Sequence, residues 1–330
     1  MVKTYSRRRA IAIFAAVAGL PLLTGARSVG DPVAWNGYAL GAPATLILNH
    51  HDRAEAGRLI ERVVAEVARL EAILSLYRED SALVELNRAG FLIAPPSDLA
   101  ALLDASRVFW NKTGGAFDPT VQPLWATYRD HFSRPDADPS GPSQGDLGRA
   151  LSRVGFDGVR NDEDKVVMGK KMAITLNGIA QGYVTDRIVD ILREAGVTSC
   201  LVDMGEERAI GSRQDGSPWR VGLAESQDSE RPDQIVRIVN RAVATSSMSG
   251  FRFDEAGKFG HILDPRKGAV AALYRRVSVV ADDAATADAL STAFNLMQED
   301  SIDSAIQSFP EVTVDLVRAA GSRIRLGRQI

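Results

Sequence analysis

The sequence predicts a fold in which helices and strands mix, and three observations carry that prediction. Ile174 to Asp186, ITLNGIAQGYVTD, reads as a strand end, an Asn177-Gly178 turn and a helix start, with Val184, Ile188, Ile191 and Leu192 at helical spacing. Two further stretches, Ala54 to Leu76 and Ser97 to Thr113, read as amphipathic helices. Short runs rich in β-branched residues, such as Trp219 to Leu223, Gln234 to Ile238 and Val277 to Ala281, read as strands.

In chain order, Met1 to about Ala26 reads as a targeting segment. Arg7-Arg8-Arg9 precedes the apolar run Ala10 to Leu23, and Thr24-Gly25-Ala26 offers small residues for cleavage. The run is short and alanine-rich for a membrane span. Paired arginines point to the twin-arginine route and hence a periplasmic address; a general secretory signal is the alternative. No cysteine follows the run, so no lipid anchor is expected. Residues 27–330 form the folded part. The composition, 45% hydrophobic and 25% charged, is that of a globular protein. Net charge −3 gives no reason to expect a nucleic-acid partner. Cys200 sits in an apolar segment and reads as core.

Trp35 to Leu48 reads as a glycine-bearing strand. On the helix that follows, Ile60, Val63, Val67, Leu70 and Leu74 make one apolar stripe. Asp80 or Ser81 suits the cap of a short helix ending near Asn87. After the second long helix comes Gly114-Gly115-Ala116-Phe117-Asp118-Pro119. Two readings fit it. Glycines admit a ligand close to the backbone, with Phe117 against a flat ring and Asp118 held extended by its proline. Equally, a helix C-cap followed by an Asp-Pro turn needs the same residues.

Arg134 to Gly148 reads as a solvated loop or lid, and Val154 to Met168 as a hairpin. The Ile174–Asp186 unit, with Gly178 and Gly182, is either a seat for phosphate at a helix start or an ordinary tight connection. Ser199 to Val202 reads as a strand delivering Asp203. Ala242 to Gly250 reads as a strand ending in hydroxyls. His261 is placed at the end of a short strand, before the rigid Asp264-Pro265 turn. It is one of four histidines, and it stands among serines and aspartates, which favours a chemical role.

Asp288 and Thr292 lie four apart on one helix face, which Asp282, Asp283 or Thr286 would cap. Their neighbours are alanines and Leu290, so that face is expected to be buried. A buried carboxylate needs a partner, and a carboxylate with a hydroxyl suits a hard cation such as Mg2+. Val312 to Arg325 reads as a closing hairpin.

Six blocks in order, SLYREDSALVELN, GGAFDPTVQPLW, NGIAQGYVTD, LVDMG, HILDPRKG and DALSTA, resemble the ApbE family of periplasmic FAD:protein FMN transferases, over about Trp35 to Leu326. The resemblance implies an α+β fold, mixed β-sheets with flanking helices in two interleaved lobes. It implies transfer of FMN from FAD, as substrate, to a threonine or serine hydroxyl of an acceptor protein, with AMP leaving. It places Mg2+ on the Gly178 carbonyl, Asp288 and Thr292, and catalysis on His261 and Asp288. Flavin and adenine contacts fall on Leu40, Tyr77, Ala116, Phe117, Asp118, Gln181, His261 and Ile262. The phosphates fall near Gly178–Gly182.

Departures stand at Leu40 for methionine, Thr175 for aspartate, Gln181 for lysine and Glu206 for a second glycine. Losing the lysine removes a charge-assisted bond worth about 1.5–3 kcal/mol. A twin-arginine segment without an anchor is similar to the NosX branch, which serves nitrous oxide respiration and flavinylates the membrane regulator NosR. Other soluble branches serve sodium-pumping quinone reductase or Rnf subunits. Two other readings stay open: an FAD pyrophosphatase using water as acceptor, and a non-catalytic periplasmic flavin-binding protein.

Overall fold

The computed structural model describes residues 32–162, 164–224 and 232–328. The targeting segment at 1–26 lies outside the described residues. Among those described, no helix is long and apolar enough to cross a membrane.

The chain opens with β1 (Val33–Ala39) and β2 (Ala42–Leu48), then α1 (Arg53–Leu74), α2 (Ala82–Ala89), β3 (Phe91–Ile93) and α3 (Ser97–Lys112). Next come α4 (Gln122–Phe132), α5 (Gln144–Leu151), β4 (Val159–Asp162), β5 (Lys165–Met168) and α6 (Ala180–Glu194). β6 (Cys200–Asp203), β7 (Glu207–Ile210), β8 (Trp219–Leu223), β9 (Gln234–Ile238), β10 (Ala242–Ser247) and β11 (Tyr274–Ala281) follow. The chain closes with α7 (Ala284–Phe294), α8 (Glu299–Ile306), β12 (Thr313–Arg318) and β13 (Arg323–Gly327).

Eight strands form one sheet in the order β1-β2-β6-β7-β10-β11-β12-β13, antiparallel at every junction. Its central strands are buried on both faces, and the period of two shows why. Val202, Ala244 and Val279 point into the main core with Val63 and Leu70 of α1, Ile188 of α6 and Leu290 of α7. Their neighbours Leu201, Val243 and Val280 point the other way, onto Trp219, Val221 and Ile238 of the β8–β9 ribbon. The sheet is therefore a middle layer between helices and ribbon, and the α+β class holds.

Local chemistry sets the boundaries. Asp52 caps α1 by accepting from the Ala54 and Glu55 N–H groups, and Ser81, not Asp80, caps α2. Each such cap contributes about 1 kcal/mol. Asp283 caps α7 through the Thr286 N–H.

Several sequence expectations are corrected. Trp35 to Leu48 is not one strand but two, because Leu40 and Gly41, both at positive φ (49° and 80°), turn the chain back. Ile174 to Leu176 is extended but pairs with no strand; Asn87 clamps it by side-chain bonds to both backbone groups of Ile174, at 2.6 and 2.8 Å. The polar stretch before Gly148 hides the start of α5, which Ser143 caps. His261 stands beside an isolated bridge, Arg252 with Gly260, rather than at the end of a strand. The helices α4, α5 and α8, of 11, 8 and 8 residues, were not expected from the sequence.

Candidate active site

The site grows from the crossing of α6 and α7. A Cβ at Gly182 would stand 2.2 Å from the Ala284 carbonyl oxygen, so only glycine lets the two helices meet there. Gly182 thus has the packing role that a tight connection requires. Its N–H, one of the donors that a helix start leaves without an intrahelical partner, donates to Oδ2 of Asp288 at 3.1 Å. Asp288 is buried, 3% exposed, and its carboxylate lies at the positive end of α6.

One turn along α7, Thr292 faces the bend before α6. A Cβ at Gly178 would come within 3.0 Å of Thr292 Oγ1, so the Gly178 backbone rests against that hydroxyl. The Ser246 hydroxyl at the end of β10 joins it, 2.7 Å from Ser291 Oγ and 3.5 Å from Thr292 Oγ1. Gly178, Asp288 and Thr292, distant in sequence, therefore converge, with Asp288 buried and the other two half-buried.

The donor set is one carboxylate with neutral oxygens. Among the described residues no group of three or more His, Cys, Asp or Glu is placed to hold a metal ion. A soft or multiply anionic metal site is thus not built here. An oxygen-rich site with one carboxylate fits Mg2+, which keeps water and phosphate ligands alongside one or two carboxylates.

Asn177 Nδ2 donates to the Tyr77 hydroxyl at 3.2 Å, which ties the half-exposed Tyr77 ring to the same bend. Ser75 holds the Tyr77 backbone: its hydroxyl accepts from the Tyr77 N–H, and its carbonyl accepts from Ser81 Oγ at 2.6 Å. Leu40 sits in the β1–β2 turn, with its N–H bonded to Glu71 Oε1 of α1 at 2.7 Å. Gln181 lies against Gly205, whose Cβ would meet its amide at 2.4 Å. Beside it, Glu206 Oε2 accepts from the Thr245 N–H at 3.3 Å. The Thr175 hydroxyl accepts from the Asn177 N–H at 3.2 Å and so holds the bend.

The glycine-rich Gly114–Asp118 loop is fixed from within. Phe117 is 4% exposed with its ring edge-on to Phe109, so that ring belongs to the core and does not offer itself to a flat ligand. Asp118 accepts from the Thr120 N–H and Oγ1, the Phe156 N–H and the Trp110 indole. Burial pushes its carboxyl above the usual range, and these four donors pull against that. Any ligand contact along Ala116–Asp118 would fall on backbone.

His261 is held by Phe251. Its Nδ1 lies 3.0 Å from the Phe251 carbonyl and 3.2 Å from the Phe251 N–H, while its own N–H donates to the same carbonyl at 3.1 Å. Gly250 is packed against the ring, at 2.8 Å for an added Cβ. Gly250, which packs on the His261 ring, donates its N–H to the carbonyl of Ser247 at the end of β10, the strand that carries Ser246. Ile262 beside it is buried, with its carbonyl accepting from Ala271.

Reasoning from sequence missed Asp186. Its carboxylate accepts from Ala284 and Ala285 N–H at 2.8 and 2.9 Å, and from Arg208 at 2.5 Å. Asp186 of α6 thus caps α7, the helix that carries Asp288 and Thr292. It closes the block NGIAQGYVTD, and its place in that block was the available signal.

Comparisons with known proteins show the family to which this fold belongs. The ApbE family model matches residues 40–315. The FAD:protein FMN transferase of Treponema pallidum is 30% identical over 286 residues, 78% of this chain and 76% of the relative. The one of Haemophilus influenzae is 30% identical over 257 residues, covering 73% and 72%. The fold is similar to the apo flavinyl transferase ApbE of Pseudomonas stutzeri, with TM-score 0.73, 26% identity, and 90% and 95% of the two chains covered. It is also similar to the ApbE protein of Thermotoga maritima, with TM-score 0.78, 26% identity, and 90% and 97% covered. With a family model spanning most of its length and these relatives, the chain belongs to the ApbE family.

Proposed function

We propose that the protein is an FAD:protein FMN transferase. It moves FMN from FAD to a threonine or serine hydroxyl of an acceptor protein and releases AMP, and Mg2+ is required. The observation that carries this reading is the convergence of Gly178, Asp288 and Thr292 at the α6–α7 crossing. The names of the relatives support the activity, since those from Treponema pallidum and Haemophilus influenzae are both called FAD:protein FMN transferase.

The reaction breaks the bond between the two phosphates of FAD and forms a phosphoester to the acceptor oxygen. The Gly178 carbonyl, Asp288 and Thr292 would hold the ion, which when bound would offset charge developing on the pyrophosphate. His261 takes the proton of the acceptor hydroxyl. Tyr77, Leu40, Gln181, Ile262 and the Ala116–Asp118 backbone hold the dinucleotide, which keeps the reacting atoms in line. The Asp186 cap keeps α7 in place.

The Arg7-Arg8-Arg9 segment and the apolar run after it support export to the periplasm by the twin-arginine route. The same segment supports the NosX-type branch and NosR as acceptor. The test is incubation of the mature protein with FAD, Mg2+ and candidate acceptor domains, the NosR domain among them. A covalent, fluorescent flavin on an acceptor is expected. None on any acceptor overturns the reading, and AMP release without an acceptor replaces it with a pyrophosphatase.

A further inference from the structure

The segment that carries His261 is braced by aromatic rings that no functional role has yet absorbed. Phe251 to His261 runs out and back as a short ribbon: Phe253 N–H donates to the Phe259 carbonyl at 2.8 Å, and His261 N–H to the Phe251 carbonyl at 3.1 Å. In such a pairing residues directly opposite share a face. Phe251, Phe253, Phe259 and His261 therefore all present the same side. That side rests on α4: Trp125 stacks on Phe251 with centroids 5.9 Å apart and meets Phe253 edge-on at 5.3 Å. Tyr128 stacks on Phe253 at 5.6 Å, and Phe132 meets Phe259 at 5.0 Å.

The pairing has one irregularity. At the Phe251–His261 pair the imidazole Nδ1 takes the place usually filled by a backbone group. It lies 3.0 Å from the Phe251 carbonyl oxygen and 3.2 Å from the Phe251 N–H. The first partner calls for a protonated Nδ1, the second for an unprotonated one. Which ring nitrogen carries the proton follows from which bond wins. The carbonyl contact is the shorter, and the same carbonyl also accepts from the His261 backbone N–H at 3.1 Å.

We propose that the Phe251 carbonyl fixes His261 in the Nδ1–H tautomer, leaving the lone pair on Nε2, and that Trp125 is a positioning residue acting through Phe251. The inference rests on the base role given to His261 above. Phe251 cannot slide along its own strand without losing the stack on Trp125. The indole thus sets the carbonyl, the carbonyl sets the ring, and the ring presents its basic nitrogen. A side chain on α4, far in sequence from the histidine, thereby governs its proton.

The test uses the mature protein labelled with 15N-histidine, which has only four histidines to resolve, with His261→Gln assigning the signal. In the wild type the Nδ1 of His261 is expected to appear as the protonated nitrogen and Nε2 as the bare one. Trp125→Leu is expected to bring the two shifts toward a tautomer average. It should lower kcat for FMN transfer roughly tenfold, a fraction of the 10²–10⁴ that a positioned base contributes, with the KM for FAD unchanged. Trp125→Phe should restore both signal and kcat. A wild-type signal with the proton on Nε2 overturns the proposal. So does a folded Trp125→Leu variant with unaltered signal and kcat. If Trp125→Leu does not fold, Phe251→Leu is read in the same way. If the wild type transfers no FMN, the functional reading fails while the tautomer signal still decides the geometry.

Discussion

The N–H of Gly182 donates to Oδ2 of Asp288 at 3.1 Å, so the first turn of α6 is closed by a carboxylate from α7. One residue thereby serves two ends. It satisfies a helix start that has no cap of its own side chain, and it places a buried carboxyl group beside the Gly178 bend. Asp288→Asn keeps an oxygen for the Gly182 N–H but removes the charge. The variant is expected to fold with little loss of Tm. Its magnesium requirement for FMN transfer should rise at least tenfold, as loss of a bond to a charged group worth about 1.5–3 kcal/mol implies. Magnesium titration of the transfer rate, beside a thermal melt, checks both halves.

Gly182→Ala tests packing rather than chemistry. The new methyl would lie 2.2 Å from the Ala284 carbonyl oxygen and 2.7 Å from the Ala285 Cα. Both are backbone, so neither helix can yield by a rotamer change. Overpacking of this kind costs roughly 1–3 kcal/mol or more. Thermal denaturation should show Tm lower by several degrees, and activity should fall along with it because α7 carries Asp288.

Asp186 gives a pH-dependent signature. Burial, the largest influence, pushes its carboxyl up to about 6, against the pull of Arg208 and of the Ala284 and Ala285 N–H groups. A carboxyl raised on folding binds its proton more tightly in the native state than in the unfolded chain. Its contribution to stability is then fully present below the unfolded value near 3.8 and is lost as pH rises through about 6. Asp186→Asn removes this titration. The Tm of the wild type relative to the variant should therefore fall between about pH 4 and pH 6.5, by the equivalent of roughly 1–3 kcal/mol. Melts of both proteins across that window, at fixed ionic strength, decide it. A difference that stays flat refutes the assignment.

Thr292 offers a subtler change. Its hydroxyl lies against Gly178 and within 3.5 Å of Ser246 Oγ, while its methyl packs beside the same glycine. Thr292→Val keeps the shape and removes the oxygen. Stability should change by less than about 1 kcal/mol, whereas the magnesium requirement should rise. Thr292→Ser should retain wild-type dependence on the ion. The comparison separates the hydroxyl from the methyl in one titration series.

Much of this was legible in the sequence because it rests on local signals. The apolar stripe of α1, the β8 and β9 runs and the Asp283 cap follow from periodicity and capping chemistry, and Asp288 with Thr292 from a four-residue spacing. What was not legible depends on partners far along the chain. Gly182 read either as part of a phosphate seat or as part of a tight connection, and only the approach of Ala284 reveals it as a helix-crossing residue. Ile174 to Leu176 looked like a strand because it is apolar and extended, yet Asn87 takes its backbone groups instead of a neighbouring strand. Asp186 carried no spacing signal, since its partners lie 98 and 99 residues away. Phe117 was placed beside a ligand, but its ring is spent on Phe109.

The central claim is that bond cleavage in FAD and attachment of FMN are one event at this centre. The most direct measurement is the ratio of AMP released to flavin covalently attached, by chromatography and intact-mass spectrometry, for wild type and Asp288→Asn with Mg2+ and an acceptor domain. A ratio of one in the wild type, with both products lost together in the variant, is predicted. AMP in steady excess over attached flavin, or transfer undiminished in Asp288→Asn, would contradict the account.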